Sequence, residues 1–234
     1  MEIRQSGLVN VPGLLHAVKE KISSSPHADF LSVPLNYENI RVMNDHVQVN
    51  AGGISLAFQK LVFCEGYQIY RNPFFHGLPV IPVKGELLEV EIPGAGFRHI
   101  ILDGGFILPL GGDRYLAGSN YERGIRDSSA SANGKESVEG KLKKMLLGEF
   151  RIMNHRAGIR PTTPDRRPLL GVHPEMESLF VLNGMGTKGV LLSPYLGNLM
   201  ARHLTEDYPI APEVDLRRFY PWHTQPLGKV RENA

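Results

Sequence analysis

The feature of this 234-residue chain that most restricts its fold is residues 183–204, NGMGTKGVLLSPYLGNLMARHL. The apolar run SLFVLNG ends at Leu182 and reads as a buried strand; a bend with glycines at 184, 186 and 189 follows. Apolar residues then recur at helical spacing from about Val190 to Leu204, with Pro194 expected near the first turn. Glycines permit positive φ and let backbone approach a ligand closely. The helix opening after them offers unpaired N–H groups and the positive end of its dipole, which favour an anionic or electron-rich ligand edge. A glycine bend alone is also the mark of an ordinary strand-turn-helix connection, so its neighbours must decide its purpose.

Composition narrows the function classes. Hydrophobic residues make up 42% and charged residues 21% with no long like-charge block, so the whole chain is expected to fold. The formal net charge is +2 and the cations are interspersed with acids, so a nucleic-acid partner is not indicated. Cys64, the one cysteine, excludes an intrachain disulfide framework and a cysteine-based metal site. The nine histidines are dispersed without a short ligand pair, so no metal site is expected. No GxSxG elbow is present. No apolar run reaches the roughly 18 residues of a membrane span, and the start MEIRQSGLVN lacks a signal-peptide layout. The chain is read as soluble and cytoplasmic.

Along the chain, residues 3–9 look strand-like, and NVPGLLHAVKEKI predicts an amphipathic helix with Asn10 as N-cap and Leu14, Leu15, Val18 and Ile22 on its apolar face. Short strands at 30–35, 40–43, 47–49 and 54–58, separated by turns, suggest a meander. KLVFCEG is a continuous apolar run stopped by glycine, as a parallel strand buried on both faces would be, which would bury Cys64. VIPVKGELLEVEI, HIILDGGFILPLGG and RYLAGSNYE fit an antiparallel sheet of hairpins. A helix carrying Val138, Leu142, Met145 and Leu146 is expected to pack on the edge of that sheet.

About twenty residues before the glycine bend lies GIRPTTPDRRPLLG. Pro161 forces Arg160 out of helical geometry and fixes its direction. A guanidinium fixed this way suits a bidentate grip on a carboxylate, although a single arginine is more often a solvated ion pair. Arg166 and Arg167 are read as such surface residues.

Together and in this order, GIRPTTPDRRPLLG and LFVLNGMGTKGVLLSPYLGNLMA resemble the end of the D-amino-acid oxidase family of FAD-dependent oxidoreductases, which includes sarcosine and glycine oxidases. They are also similar to the flavin domain of the bacterial bifunctional tRNA wobble-uridine modification proteins. The resemblance implies an α/β (α+β) chain: an incomplete Rossmann-like FAD-binding domain with an inserted antiparallel-sheet substrate domain. Residues 1–9 and 73–155 would form the substrate domain, and 10–72 with 156–234 the remainder of the FAD domain. It implies that Arg160 binds the substrate carboxylate, that Met185, Gly186, Thr187, Lys188, Gly189 and Val190 lie over the flavin, and that Gly66 lies near the cofactor's ribose or pyrophosphate. Lys188 could stabilise reduced flavin or a substrate anion, or be a solvated loop lysine. The implied chemistry is hydride transfer from the carbon beside an amine to noncovalently bound FAD. The implied substrate is a small amine or amino acid, with a tRNA-borne amine a further option.

Two departures from the family pattern stand out. Phe106 occupies the place of a tyrosine that often shares the substrate carboxylate, and Tyr115 and Tyr121, nearby, do not match that position. The GxGxxG βαβ unit that opens the family pattern has no counterpart here, so the chain is expected to start about a third of the way into that pattern and to be inactive alone. A non-catalytic remnant, or a subunit whose partner supplies that unit, is the alternative.

Overall fold

Adjacent glycines set the first hairpin of the chain. Gly52 (φ +59°) and Gly53 (φ +80°) take the two positive-φ positions of a tight turn that matches the twist of paired strands. They join β2 (Val47–Ala51) to β3 (Ile54–Phe58), and β1 (Ile40–Val42) pairs with β2 on the other side, giving an antiparallel meander in the order β1-β2-β3. The structure, a computed structural model, describes residues 7–221. By its contacts the chain divides into two compact units, Met1–Lys60 and Leu61–Ala234.

In the first unit, helix α1 (Val11–Ser23) starts as expected, with the Asn10 side chain accepting the Gly13 N–H at 3.2 Å. Its apolar stripe is not packed: Leu14, Leu15 and Val18 are exposed and the helix buries none of its residues. The strand expected over residues 30–35 is irregular and exposed, since no neighbouring strand pairs with it and Pro34 lacks a donor. Of the strand-like start, residues 3–6 lie outside the described residues, and residues 7–9 form no strand.

The second unit holds two sheets. One has the order β11-β12-β4, with β12 (Leu179–Asn183) parallel to β4 (Leu61–Phe63) and antiparallel to β11 (Leu169–Val172). Helix α3 (Gly189–Glu206) buries Leu196, Leu199 and Met200 against Leu170 and Phe180 of this sheet. β4 stops at Phe63, so Cys64 lies where the chain leaves the sheet and is exposed, not buried as its apolar run suggested.

The other sheet runs β10-β5-β8-β7-β6, with β9 (Glu122–Arg123) also pairing with β5 (Ile81–Glu91). β6 is Ile101–Leu102, β7 is Phe106–Gly111 and β8 is Arg114–Gly118. β10 (Arg151–Thr162) is one strand that pairs with β5 from Arg151↔Glu91 to Thr162↔Ile81, broken only by a bulge near Met153. The boundary anticipated at 155/156 therefore falls inside a continuous strand, and Arg160 belongs to this sheet.

Helix α2 (Ala132–Met145) lies across a face of that sheet, not on its edge. Val138 and Leu142 pack with Leu88, Val90, Ile107, Tyr115 and Ala117 from its central strands. A buried carboxylate anchors the helix start: Glu86 accepts Ser131 Oγ at 2.6 Å and the Ser131 N–H at 2.9 Å, with Lys84 Nζ 3.3 Å away and His155 Nε2 at 2.6 Å. Burial raises the pKa of Glu86, but the bonds from Ser131, Lys84 and His155 outweigh it and hold the carboxyl below its ordinary value. Gly134 makes room, because a Cβ there would lie 2.1 Å from the Glu86 carboxylate. Leu142→Ala is expected to lower unfolding stability by about 2–5 kcal/mol, read as a shifted urea midpoint; an unchanged midpoint would contradict this packing.

Candidate functional site

β12 and β4 are parallel, so their carboxyl ends point the same way, and that is the end of such a sheet where ligands bind. Asn183, the last residue of β12, ties the two ends together: its Nδ2 donates to Gly66 O at 2.9 Å, and its Oδ1 accepts the Gly184 N–H at 2.7 Å. Gly66 (φ +59°), Gly184 (φ +72°) and Gly186 (φ +54°) all take left-handed backbone. At Gly184 a Cβ would meet Thr163 Cγ2 at 2.8 Å, so glycine is needed there for both reasons.

A short 3-10 turn, Gly186–Lys188, leads into α3, whose N-cap residue Lys188 makes no side-chain capping bond. No side chain therefore caps the first turn of this 18-residue helix, and the 3-10 turn before it carries the Lys188 N–H donating to Met185 O. The helix begins one residue earlier and ends two later than expected, and Pro194 sits in its second turn, where it removes the bond to the Val190 carbonyl.

Beside this loop is a cavity of about 320 Å³ lined by Gly184, Met185, Gly186, Thr187 and Lys188 on one side and Tyr121, Thr162 and Arg166 on the other. Met185, Gly186, Thr187 and Lys188 thus line one cavity, and Gly189 and Val190 follow as the opening of α3. Gly66 does not line the cavity but is fastened to it through Asn183. Lys188 is exposed at its rim.

Arg160 lies two residues before Thr162 in β10, so both side chains project from the same face of the sheet. Its guanidinium crosses β5 at Gly85, where a Cβ would come within 2.1 Å of it. Arg160 Nη2 donates to Ser119 Oγ at 2.9 Å, whereas Nη1 is buried without a partner. Burial pushes the guanidinium pKa down from its ordinary value, with nearby Tyr121 acting the other way. Thr162 Oγ1 is likewise buried without a partner, in a residue only 5% exposed.

The residues missed from sequence are Gly85, Ser119, Tyr121, Thr162, Arg166 and Asn183. A glycine inside the apolar strand VKGELL was the one available signal for Gly85, since interior strand glycines mark close approaches. Of the two tyrosines near the Phe106 position, Tyr121 reaches the cavity, whereas Tyr115 is buried and its hydroxyl accepts the Phe97 N–H at 3.2 Å. Arg166 is exposed, as expected, and also lines the cavity, with φ +58°. Its turn is held by the Arg166 N–H donating to Thr163 O and by Asp165, which accepts the Arg167 N–H at 3.1 Å and Arg218 Nε at 2.8 Å.

The sequence profile described as FAD dependent oxidoreductase (DAO) matches residues 36–203. The chain belongs to this family. It is 33% identical over 162 residues to a glycine oxidase of Geobacillus kaustophilus, covering 67% of this chain and 43% of that protein. The crystal structure of glycine oxidase from Geobacillus kaustophilus superposes with a TM-score of 0.63 at 29% identity, over 78% of this chain and 50% of the other. The tRNA 5-methylaminomethyl-2-thiouridine biosynthesis bifunctional protein of Idiomarina loihiensis is 24% identical over 178 residues, 71% of this chain and 28% of that protein. The chain spans about half or less of the length of the glycine oxidases it matches. Among the described residues no helix is long and apolar enough to cross a membrane, and no group of three or more His, Cys, Asp or Glu could hold a metal.

The Asp165 turn makes a pH prediction. Burial raises the Asp165 pKa, but bonds from Arg218, the Arg167 amide and Thr163 outweigh it and bring it to about 2. A depressed folded-state pKa means that this stabilisation is present above about pH 4 and is lost as pH falls toward about 2. Acid unfolding followed by circular dichroism should therefore be steeper below about pH 4 in the native chain than in Arg218→Gln; parallel curves would contradict the pairing.

Proposed function

We propose that this chain carries the substrate-carboxylate arginine and the flavin-facing loop of an FAD-dependent oxidoreductase acting on the C–N bond of a carboxylate-bearing amine. The observation that carries this reading is Arg160, a strand-mounted guanidinium with one nitrogen fixed by Ser119 and the other buried and unsatisfied. Such a group calls for an anionic acceptor, because a buried polar atom left unpaired is costly. The glycine oxidase relatives agree with a small amino acid as that acceptor.

The loop suits the electron-rich edge of a flavin. The α3 amides have no capping side chain, the loop presents backbone at two left-handed glycines, and Thr162 Oγ1 faces the same cavity without a partner. Met185, Gly186, Thr187, Lys188, Gly189 and Val190 would hold that edge, largely through main-chain groups. Bound noncovalently, FAD supplies the two-electron acceptor that side chains lack. The protein's share is positioning: Arg160 aims the substrate by its carboxylate, and the opening of α3 stabilises negative charge beside it. In this reading β4, β11, β12 and α3 belong to the flavin part and the six-stranded sheet to the substrate part. A single exposed cysteine is compatible with a cytoplasmic location.

The test is optical. The full-length protein should show flavin absorbance that bleaches anaerobically with N-methylglycine or another small amino acid; a protein that stays colourless and cannot take up FAD would sink the proposal. A second expectation concerns Gly85. Gly85→Ala pushes away only the end of a flexible side chain, so melting temperature should change little while kcat/KM falls about 10²-fold through the displaced Arg160. Unaltered kcat/KM would show that the guanidinium does not grip the substrate.

A further inference from the structure

Ser119, the residue after β8, is hydrogen-bonded to both sides of the six-stranded sheet. Its Oγ accepts Arg160 Nη2 at 2.9 Å on one face, and its carbonyl accepts Lys141 Nζ at 2.7 Å from α2, which lies on the other. Pairing of β8 with both neighbouring strands ends at Gly118, so the strand ladder does not hold the Ser119 peptide. What holds it is Lys141 and, next in the chain, Asn120, whose Oδ1 accepts the Glu86 N–H at 2.6 Å. Helix lysines are ordinarily solvated, as Lys143 is, with its side chain 66% exposed and paired with Glu139. Lys141 differs. Its stem passes Gly105, where a Cβ would come within 2.8 Å of Gly118 O and 3.4 Å of Lys141 Cδ, and its half-buried ammonium ends on a carbonyl instead of a carboxylate.

We infer that Lys141 is a positioning residue for the carboxylate grip: it fixes the Ser119 peptide, and the Ser119 hydroxyl in turn holds one nitrogen of Arg160 so that the other is aimed at the substrate. This rests on the function proposed above and adds to it a residue that acts from the far side of the sheet, through Ser119. A bond from an ammonium to a carbonyl is charge-assisted and stronger than a neutral one, so it can hold a segment that has left its ladder. A guanidinium that must meet a carboxylate with two nitrogens tolerates little displacement, so slack at Ser119 is felt at Arg160. The competing account gives the whole task to Asn120, only 4% exposed, and leaves Lys141 merely steadying α2.

The test compares ligands that differ at the carboxylate. The flavin-loaded full-length protein is assayed with N-methylglycine and N-methylglycinamide, and acetate binding is measured by calorimetry. In Lys141→Met, whose unbranched side chain still packs beside Gly105, kcat/KM for the acid should fall about tenfold, mainly through KM, and acetate should bind about tenfold more weakly. Values for the amide should stay within about twofold. Lys141→Arg, which keeps a charged donor, should recover most of the loss, and Lys143→Gln should change neither ligand. In a Ser119→Ala background Lys141→Met should add little, because the link to Arg160 is already cut. Lys141→Gln takes the place of the methionine variant if that protein does not fold. Acid and amide losing equally, acetate binding unchanged, or effects that add fully to those of Ser119→Ala would each overturn the inference. Acid preference that is lost in Arg160→Gln but survives Lys141→Met removes this inference and leaves the function standing. Acetate binding weakened by both changes, in a protein whose flavin no amine bleaches, removes the function and leaves the positioning role.

Discussion

The pairing of β10 with β5 is the constraint on which the rest of the second unit depends. It runs from Arg151↔Glu91 to Thr162↔Ile81, and the two faces it defines do different work. On one face the alternation puts Lys84, Glu86, Leu88 and Val90 beneath α2. On the other it puts Arg160 over Gly85 and Thr162 at the cavity. A slip of one residue would exchange the two sets, burying the guanidinium under the helix and exposing the apolar positions. Register is therefore a condition of the site as well as of the core.

The buried charges under α2 help to fix that register. Glu86 is fully buried and would be costly alone, yet it is met by Ser131, Lys84 and His155, and it sits at the start of a helix whose dipole favours an anion. These partners come from β5, β10 and the cap of α2. Only one alignment of the three elements satisfies them together, so a polar cluster that adds little net stability can still select the arrangement that aims Arg160.

Much of this was legible in the chain. Local signals were enough for the Asn10 cap, the Gly52-Gly53 hairpin, the β4 and β12 strands, the antiparallel sheet and the loop 184–188, because each rests on nearby backbone preferences or on periodicity. The family resemblance singled out Arg160, and the structure mounts it on β10, two residues before Thr162 of the cavity wall. What could not be read were meetings between distant segments. Ser119 reaches Arg160 across 41 residues, and Asn183 reaches Gly66 across 117. The α1 stripe failed for the opposite reason: periodicity reports a face able to pack, and Leu14, Leu15 and Val18 remain exposed. Arg166 is exposed as read, but its place at the cavity depends on the Asp165 turn, which no pattern of apolar residues encodes.

The bare opening of α3 has a thermodynamic consequence. A helix whose first turn has no side-chain cap is held less firmly at that end, and any electron-rich group that settles there and accepts from its amides favours the folded state over the unfolded one. Occupancy of the loop and resistance of this unit to heat are then two views of one equilibrium, and the last helix serves as the molecule's own gauge of whether its ligand is in place.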